Sequence, residues 1–336
     1  MYCILIQFIV GVYMKAKTFS TYIKKYQFQP YSRLFDGSIA KYIKTEFTNK
    51  EATLYAIVKA PKVRYIPESF YPVDNYSVVG NISVHGKINK IIINIAKTWF
   101  DSDSNLSQQF QSAYTSIDDF TSSHMKKYDQ NQLKCSELYK QLVEVDLELS
   151  DASNLSIKCP ISVAGSDGNF THATLPIYQM INQFDISCFD ELEIQYIGKS
   201  TSGAFERLRK HEKWGPISAK SDPEHEYLVY FFEIDESVIS QNQLNNINFI
   251  VSANNDLPSE QISLLCEASL INFYKPEFNE DHKSVDLKKS KLLGKWLIEN
   301  CYTELVTEVE LGGMMGRLGT PFRPYTERHE INLPLK

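Results

Sequence analysis

The most informative part of the chain runs from residue 192 to residue 214 and reads LEIQYIGKSTSGAFERLRKHEKW. Apolar and polar residues alternate as far as Ile197, which predicts a β-strand with one buried face. Gly198 and the serine and threonine residues after it are typical of a strand end followed by a helix cap. Apolar residues then recur at helical spacing, which predicts a helix from about Gly203 to Trp214.

Three side chains of this stretch are suited to binding a phosphodiester. Tyr196 ends the predicted strand, while Arg207 and His211 lie four residues apart at the edge of the apolar stripe of the predicted helix. An arginine donates two hydrogen bonds to phosphate oxygens, and a tyrosine or a histidine transfers a proton. An ordinary amphipathic helix with a charged surface is the alternative interpretation.

A second helix is predicted from Ile262 to Tyr274, because the segment ISLLCEASLINFY is apolar on nearly all sides. Glu267 is the only charged residue in it. A single carboxylate in such surroundings is costly unless it is paired or binds a metal ion. The segment Lys275–Asn279, which reads KPEFN, ends this helix.

Taken together, these motifs resemble the GIY-YIG nuclease superfamily over about residues 184–279. The resemblance implies an α+β fold, in which a small central antiparallel sheet is flanked by helices. It also implies an endonuclease that hydrolyses DNA phosphodiester bonds with one divalent cation, Mg²⁺ or Mn²⁺, as its cofactor.

The resemblance assigns a role to each matching residue. Tyr196 is implied to orient or deprotonate the attacking water, Arg207 to stabilise charge on the phosphoryl group, and Glu267 to bind the metal. His211 is implied to lie near the scissile phosphate. The substrate-binding residues implied are Lys199, Lys210 and Asn279, of which Asn279 also braces the site.

The first motif of the superfamily is the point at which the chain departs from it. No Gly-Ile-Tyr occurs about ten residues before Tyr196, where the chain has Phe184-Asp185-Ile186. Tyr178, in Pro176-Ile177-Tyr178, is the candidate for the missing catalytic tyrosine. The alternative function is a catalytically inactive DNA-binding or assembly protein that retains the fold. The two functions differ in whether a second tyrosine or another proton acceptor lies beside Tyr196.

The distribution of charge favours a nucleic-acid partner at this site. The 336 residues include 35 basic and 41 acidic ones, a net charge of −6, which argues against non-specific coating of nucleic acid by bulk charge. The segments Lys199–Lys220 and Asp281–Lys295 are nevertheless rich in lysine and arginine, which predicts a phosphate-binding groove on an acidic body. DNA is the expected partner, and RNA stays open.

The remaining sequence predicts the organisation around the nuclease domain. Residues 1–13 are apolar, either an upstream extension of the reading frame or a buried first strand, and are shorter than the ~20 residues of a membrane-spanning helix. Residues 14–165 are expected to form a β-rich module of unknown role, which is also the candidate surface for a protein partner. Within it the sequence predicts a hairpin turn at His85-Gly86-Lys87 and an alternating strand from Val143 to Leu149. Residues 166–280 are expected to form the nuclease domain, and residues 281–336 an extension with a basic helix and strands. The six cysteines include no C-x-x-C pair, which fits the reducing cytoplasm. The oligomeric state is open.

Overall fold

The computed structural model describes residues 12–35, 37, 52–100, 111–116, 118–119, 122–123, 133–159, 171–184, 186–188, 191–200, 207–208, 210–220, 222–244, 247–253, 257, 259–280, 296–297, 299–311 and 316–335. The apolar residues 1–11, the domain boundary predicted at residue 165 and the basic helix predicted over residues 281–295 lie outside these ranges. Among the described residues, no helix is both long enough and apolar enough to cross a membrane.

Strands dominate the described secondary structure. The strands are β1 (Val12–Pro30), β2 (Ala52–Pro61), β3 (Val63–Val73), β4 (Ser77–Val84), β5 (Lys87–Asn94), β6 (Glu144–Val145), β7 (Asn154–Cys159), β8 (Thr171–Pro176), β9 (Glu191–Lys199), β10 (His225–Leu244), β11 (Ile247–Ala253), β12 (Glu304–Glu310), β13 (Arg317–Thr320), β14 (Arg323–Thr326) and β15 (Arg328–Pro334). The helices are α1 (Ile95–Phe100), α2 (Cys135–Leu142), α3 (Ile177–Gln183), α4 (Trp214–Ser218) and α5 (Ser259–Tyr274), with a 3₁₀ turn at Tyr31–Arg33.

The chain divides into two compact units. Unit 1 contains Met1–Ala60 and Phe189–Lys336, and unit 2 contains Pro61–Cys188. In chain order, unit 2 is therefore an insertion between β2 and β9. This division differs from the predicted boundaries at residues 165 and 280, because strands from the N-terminal, central and C-terminal segments pair within one sheet.

Unit 1 is built on a nine-stranded mixed sheet in the order β14-β13-β9-β2-β10-β1-β12-β15, with β11 paired to β10. The long strands β1 and β10 are antiparallel over almost their whole length, from Val12 opposite Leu244 to Pro30 opposite Leu228. Strand β12 is parallel to β1, and β13 is parallel to β9. These pairings bring the C-terminal strands to the sheet that carries Tyr196.

Helix α5 lies against β9 of this sheet, and its C-terminal end is fixed by side chains from the β13–β14 hairpin. The Oγ1 of Thr320 donates to the carbonyl oxygen of Tyr274 at 2.6 Å, and the Nε of Arg323 donates to that of Phe273 at 2.8 Å. Such bonds satisfy carbonyls that have no partner within the helix. Lys275, with a φ of 52°, turns the chain out of the helix before Pro276.

Unit 2 contains two three-stranded antiparallel sheets, β3-β4-β5 and β6-β7-β8. The turn at His85 and Gly86 joins β4 to β5, which confirms the hairpin predicted there. The strand predicted from Val143 to Leu149 is wrong beyond Val145. Asp146 Oδ1 accepts hydrogen bonds from the amides of Glu148 and Leu149, which turns the chain at this point.

The predicted fold class, an α+β domain with a small central antiparallel sheet flanked by helices, is wrong. The structure is mostly β, and the strand with Tyr196 belongs to a large mixed sheet. Charged and amide residues in the second half of β10, from Glu233 to Gln243, obscure the strand in the sequence because they are uncommon in strands. Pairing with β1 supplies the backbone hydrogen bonds that override this preference.

The continuous helix predicted from Gly203 to Trp214 also differs from the structure. Residues 201–206 and 209 lie outside the described ranges, and Arg207 and Leu208 are helical. The amide of His211 donates to the carbonyl of Leu208 at 3.1 Å, which is a three-residue turn, and α4 begins only at Trp214. His211 is therefore in a turn and not on the same helical face as Arg207.

Candidate active site

The pairing of β2 with β9 places a second tyrosine beside Tyr196. Tyr55 is opposite Gly198, and Ile57 is opposite Tyr196. Tyr55 and Tyr196 are therefore diagonal neighbours on one face of the sheet. Their rings are stacked at 27°, with centroids 6.1 Å apart. Tyr55 is fully buried, and Tyr196 is partly exposed.

Gly198 provides the space that these two rings occupy. A Cβ at this position would lie 2.6 Å from the Cζ and hydroxyl oxygen of Tyr55 and 2.7 Å from the Cε1 of Tyr196. Both distances are shorter than van der Waals contact permits. The glycine that follows Tyr196-Ile197 is thus required by close packing of side chains.

Substitution Gly198→Ala is expected to lower the free energy of unfolding by about 1–3 kcal/mol, because the new methyl group overlaps both rings. The control is Gly215→Ala in α4, where a Cβ has no neighbour within 4 Å. The control is expected to keep the wild-type stability or to gain up to about 1 kcal/mol. Urea unfolding of both variants measures the difference, and equal stabilities would contradict this packing role.

His211 packs against both tyrosines. Its ring centroid is 4.6 Å from that of Tyr196 and 5.9 Å from that of Tyr55, in edge-on geometry in both cases. The residue is 5% exposed. The backbone amide of Lys213 donates to its Nδ1 at 3.1 Å. A neutral ring that accepts at Nδ1 carries its proton on Nε2, so His211 presents a hydrogen-bond donor at Nε2.

Burial lowers the pKa of His211 to about 4, and the charge of Arg207 contributes to the same shift. The imidazole is therefore neutral at physiological pH. The Nε2 atom is buried and has no hydrogen-bond partner among the described residues. A buried donor of this kind is suited to an acceptor oxygen of a bound substrate.

The depressed pKa of His211 has a consequence for stability that can be measured. Between about pH 6.5 and pH 4 the unfolded chain binds a proton at this residue and the folded chain does not, so acidification favours unfolding. Through His211 alone, the free energy of unfolding is expected to fall by about 2 kcal/mol between pH 7 and pH 5. His211→Gln is expected to remove this part of the pH dependence.

The control for that measurement is His329→Gln. His329 is also buried with a lowered pKa, but its Nε2 lies 2.8 Å from the carbonyl oxygen of Leu318, in a different part of the sheet. The His329 variant is expected to keep the contribution of His211. A pH dependence in His211→Gln equal to that of the wild type would contradict the assignment.

A chain of hydrogen bonds connects Arg207 to the tyrosine pair. The side chain of Arg207 is hydrogen-bonded to the hydroxyl of Tyr55, and the hydroxyl of Tyr55 is hydrogen-bonded to that of Tyr196. A guanidinium is only a donor, so Tyr55 accepts from Arg207, and its own proton is free to go to Tyr196. The oxygen of Tyr196 is therefore the acceptor at the end of the chain.

Both tyrosines are protonated at physiological pH. Burial is the main cause that raises the pKa of Tyr196, and the carboxylate of Glu267 raises it further. Burial also raises the pKa of Tyr55, and Arg207 partly offsets this effect. Neither side chain is a phenolate in the resting state, so each acts through hydrogen bonds of its neutral hydroxyl.

Glu267 approaches this cluster from α5. The helix is largely apolar and lies against β9, and Glu267 is half-buried on it. Its charge raises the pKa of both Tyr55 and Tyr196, so the carboxylate is near both hydroxyls. Arg207 and Glu267 thus act on the same tyrosine pair with opposite charges.

Asn279 fixes the strand on which Tyr196 lies. Its Oδ1 accepts from the amide of Ile197 at 2.9 Å, and its Nδ2 donates to the carbonyl of the same residue at 2.8 Å. The amide of Phe278 donates to the carbonyl of Gln195 at 3.0 Å. The segment after α5 therefore holds the backbone on both sides of Tyr196, and Asn279 itself is buried.

The cations around the cluster differ in how they are paired. Lys213 is 2.6 Å from Glu280, and Lys220 forms an ion pair with Glu277. Lys210 is exposed and Lys199 is half-buried. Part of the positive charge counted in this segment of the sequence is therefore balanced by acidic residues that follow α5.

Tyr178, the candidate for the missing tyrosine, belongs to unit 2. It is buried on α3, and its hydroxyl oxygen accepts a hydrogen bond from the amide of Val63 at 3.4 Å. The structure brings Tyr196, Arg207, His211 and Glu267 together within unit 1, and the tyrosine that completes this group is Tyr55. No local sequence signal identifies Tyr55 as a partner of Tyr196, because all of unit 2 separates the two residues in the chain.

A divalent cation fits the donor set at Glu267 only as a weakly held ion. Among the residues that the structure describes, no group of three or more His, Cys, Asp or Glu side chains is placed to hold a metal. A single carboxylate is nevertheless compatible with Mg²⁺, which usually retains several waters and shares ligands with substrate phosphates. Glu267 is the residue that would hold it.

Comparisons of the chain with protein-family models, with curated proteins and with solved structures give no match.

Proposed function

We propose that this protein is a divalent-metal-dependent endonuclease that hydrolyses phosphodiester bonds of DNA. The observation that carries the proposal is the stacking of Tyr55 on Tyr196. A second tyrosine beside Tyr196 is the feature that separates a catalytic site from an inactive binding site. Arg207, His211 and Glu267 surround the same pair, and they supply the donors and the carboxylate that the reaction requires.

We infer that Tyr55 takes the part of the tyrosine in the first motif of the GIY-YIG superfamily. It lies on the strand that is antiparallel to the strand with Tyr196-Ile197-Gly198. Unit 2 is inserted between these two strands in the chain, so the usual spacing of about ten residues does not apply. The resemblance therefore rests on the residues of the site and not on the fold of the whole unit.

The hydrogen-bond chain defines how these residues would act on water. Arg207 donates to Tyr55, Tyr55 donates to Tyr196, and the oxygen of Tyr196 is left to accept from the attacking water. Donation from Tyr55 stabilises the negative charge that develops on the oxygen of Tyr196 as the hydroxyl proton of Tyr196 leaves. Tyr196 is thus the residue that orients the water. As its oxygen takes the proton of the water, its own hydroxyl proton passes to an oxygen of the phosphate, and Tyr55 supports this transfer through its hydrogen bond.

Arg207 and His211 stabilise the negative charge that develops on the phosphoryl group. The guanidinium of Arg207 is permanently charged, and the Nε2–H of His211 is a neutral donor beside the tyrosines. Donors fixed in position before the reaction stabilise developing negative charge with little reorganisation. Because its available nitrogen carries a hydrogen, His211 acts here as a donor and not as a base.

Glu267 is the residue that would hold the cation. A divalent cation at a phosphodiester neutralises charge and assists departure of the leaving oxygen. The carboxylate also raises the pKa of Tyr196, which keeps this hydroxyl protonated, so that Tyr196 acts through its neutral hydroxyl.

The experiment that tests the function is cleavage of supercoiled plasmid by the full chain with Mg²⁺ or Mn²⁺. Arg207→Ala is expected to reduce cleavage by about 10²- to 10³-fold, because it removes a fixed donor to the phosphoryl group. The control is Arg328→Ala, an exposed arginine paired with Glu308 at 2.6 Å, which is expected to cleave as the wild type does.

The alternative function has its own outcome in this experiment. If no DNA or RNA form is cleaved, but DNA binding persists and weakens when Arg207 or Lys210 is neutralised, the protein is a catalytically inactive DNA-binding or assembly protein. The endonuclease proposal fails in that case.

A further inference from the structure

The hairpin of β10 and β11 has a composition unlike that of the rest of the chain. Residues 237–255 include no Lys, Arg, His, Asp or Glu, although 23% of the chain is charged. Isoleucine, valine, serine and the two amide residues make up most of this run. Such a surface has no charge with which to recognise a charged partner.

Strand β11 within this hairpin has the features of an unprotected edge. In the described part of the chain its one neighbour is β10, and the register between them has no bulge. Edge strands in natural proteins are usually protected by lysine, proline or a bulge, because an open edge pairs with other strands. Strand β11 carries none of these three features.

Aliphatic side chains are exposed on both faces of β11. Ile247 is 67% exposed and Ile250 is 71% exposed, and they lie on opposite faces because side chains alternate along a strand. Val251, on the same face as Ile247, is also exposed. A partner that adds one strand at this edge would cover apolar surface on both faces of the hairpin at once.

We propose that this edge binds the same edge of a second copy of the chain, so that the two β11 strands pair in antiparallel orientation about a two-fold axis at Ile250. The pairing matches like with like: Ile250 with Ile250, Phe249 with Val251, Asn248 with Ser252 and Ile247 with Ala253. A shift of one residue would place Asn248 opposite Val251 and Ile247 opposite Ser252. An uncharged strand is best complemented by another uncharged strand, and the second copy provides it.

The size of this interface sets its strength. A seven-residue strand is roughly 23 Å long, so one strand pair covers less than the ~1,600 Å² of a standard stable interface. The dimer is therefore weak and reversible, and its population depends on concentration. This inference does not depend on the proposed nuclease activity.

The test is sedimentation of the full chain in the analytical ultracentrifuge from about 1 to 100 μM, where a dissociation constant near the micromolar range is visible. The wild type is expected to shift from monomer to dimer over this range. Ile250→Lys and Ile250→Glu each place like charges opposite one another at the axis, and each is expected to stay monomeric. An equimolar mixture of the two variants is expected to recover the dimer.

The control is Ile88→Lys on β5, an isoleucine that is 63% exposed, which is expected to dimerise as the wild type does. Recovery in the mixture also shows that both Ile250 variants are folded. The inference is overturned if the wild type is monomeric throughout, if the dimer survives in both Ile250 variants, or if the mixture stays monomeric.

Discussion

Tyr55→Phe is expected to slow single-turnover cleavage of DNA by about 10²- to 10³-fold, the range for loss of one fixed donor that stabilises developing negative charge. The substitution keeps the ring that packs on Tyr196 and His211 and removes only the hydroxyl. Without this hydroxyl, Arg207 loses its acceptor in the series of hydrogen bonds, and Tyr196 loses the donor that stabilises negative charge developing on its oxygen. The measurement is the first-order rate constant of DNA cleavage at saturating enzyme. It is made under conditions in which circular dichroism shows that the variant is folded.

The matched control for this effect is Tyr178→Phe. Tyr178 is a buried tyrosine of unit 2, and its hydroxyl accepts a hydrogen bond from the amide of Val63 at 3.4 Å. Removal of this hydroxyl is expected to leave the cleavage rate within about two-fold of the wild type. Loss of one hydrogen bond lowers the free energy of unfolding by only about 1 kcal/mol, and the substitution changes no side chain of the tyrosine pair. A Tyr178 variant as slow as the Tyr55 variant would contradict the assignment of Tyr55.

Glu267→Gln is expected to reduce cleavage by at least about 10³-fold, because loss of a metal's contribution at a phosphodiester is worth several kcal/mol. Glutamine keeps the size of the side chain, so the packing of α5 on β9 is preserved. The control is Glu260→Gln in the exposed first turn of the same helix, which is expected to cleave normally. Metal-dependent cleavage that persists in Glu267→Gln would show that the cation is held elsewhere.

Local sequence patterns predicted the elements whose own residues carry a clear signal of burial or of a turn. The strand that ends at Gly198 and the helix around Glu267 are confirmed, as β9 and α5. In β9 the alternation of apolar and polar residues reports on burial, and in α5 the nearly all-round apolar composition does so. The hairpin at His85 and Gly86 is also confirmed, and here the signal is the turn itself, because both residues adopt the positive φ of a two-residue hairpin turn.

The tyrosine pair was beyond this kind of prediction. Tyr55 is brought to Tyr196 by strand pairing across the whole of unit 2, and such a pairing leaves no periodic trace in the sequence. The turn at His211 was missed because the apolar spacing of Leu208 and Trp214 suits both a helix and a compact turn. In the structure the indole Nε1 of Trp214 donates to the carbonyl of Leu208 at 2.6 Å, which stabilises the turn.

The fold class was missed because the sheet is assembled from distant segments. β1 pairs with β10 and β12, which lie about two hundred residues or more further along the chain. Buried Thr21 and Thr307, joined by a hydrogen bond of 3.0 Å, are part of that pairing, and neither looks like a core residue in the sequence. Pattern analysis identifies strands one at a time and does not predict which of them pair.

The central claim is that Tyr55 and Tyr196 act as one catalytic pair, and a double-mutant cycle tests it most directly. Single-turnover cleavage rates are measured for the wild type, Tyr55→Phe, Tyr196→Phe and the double variant. Groups that act as a unit are strongly non-additive, so the double variant is expected to be no more than a few-fold slower than the slower single variant. Losses that multiply in the double variant, or a Tyr55 variant as fast as the wild type, would contradict the claim.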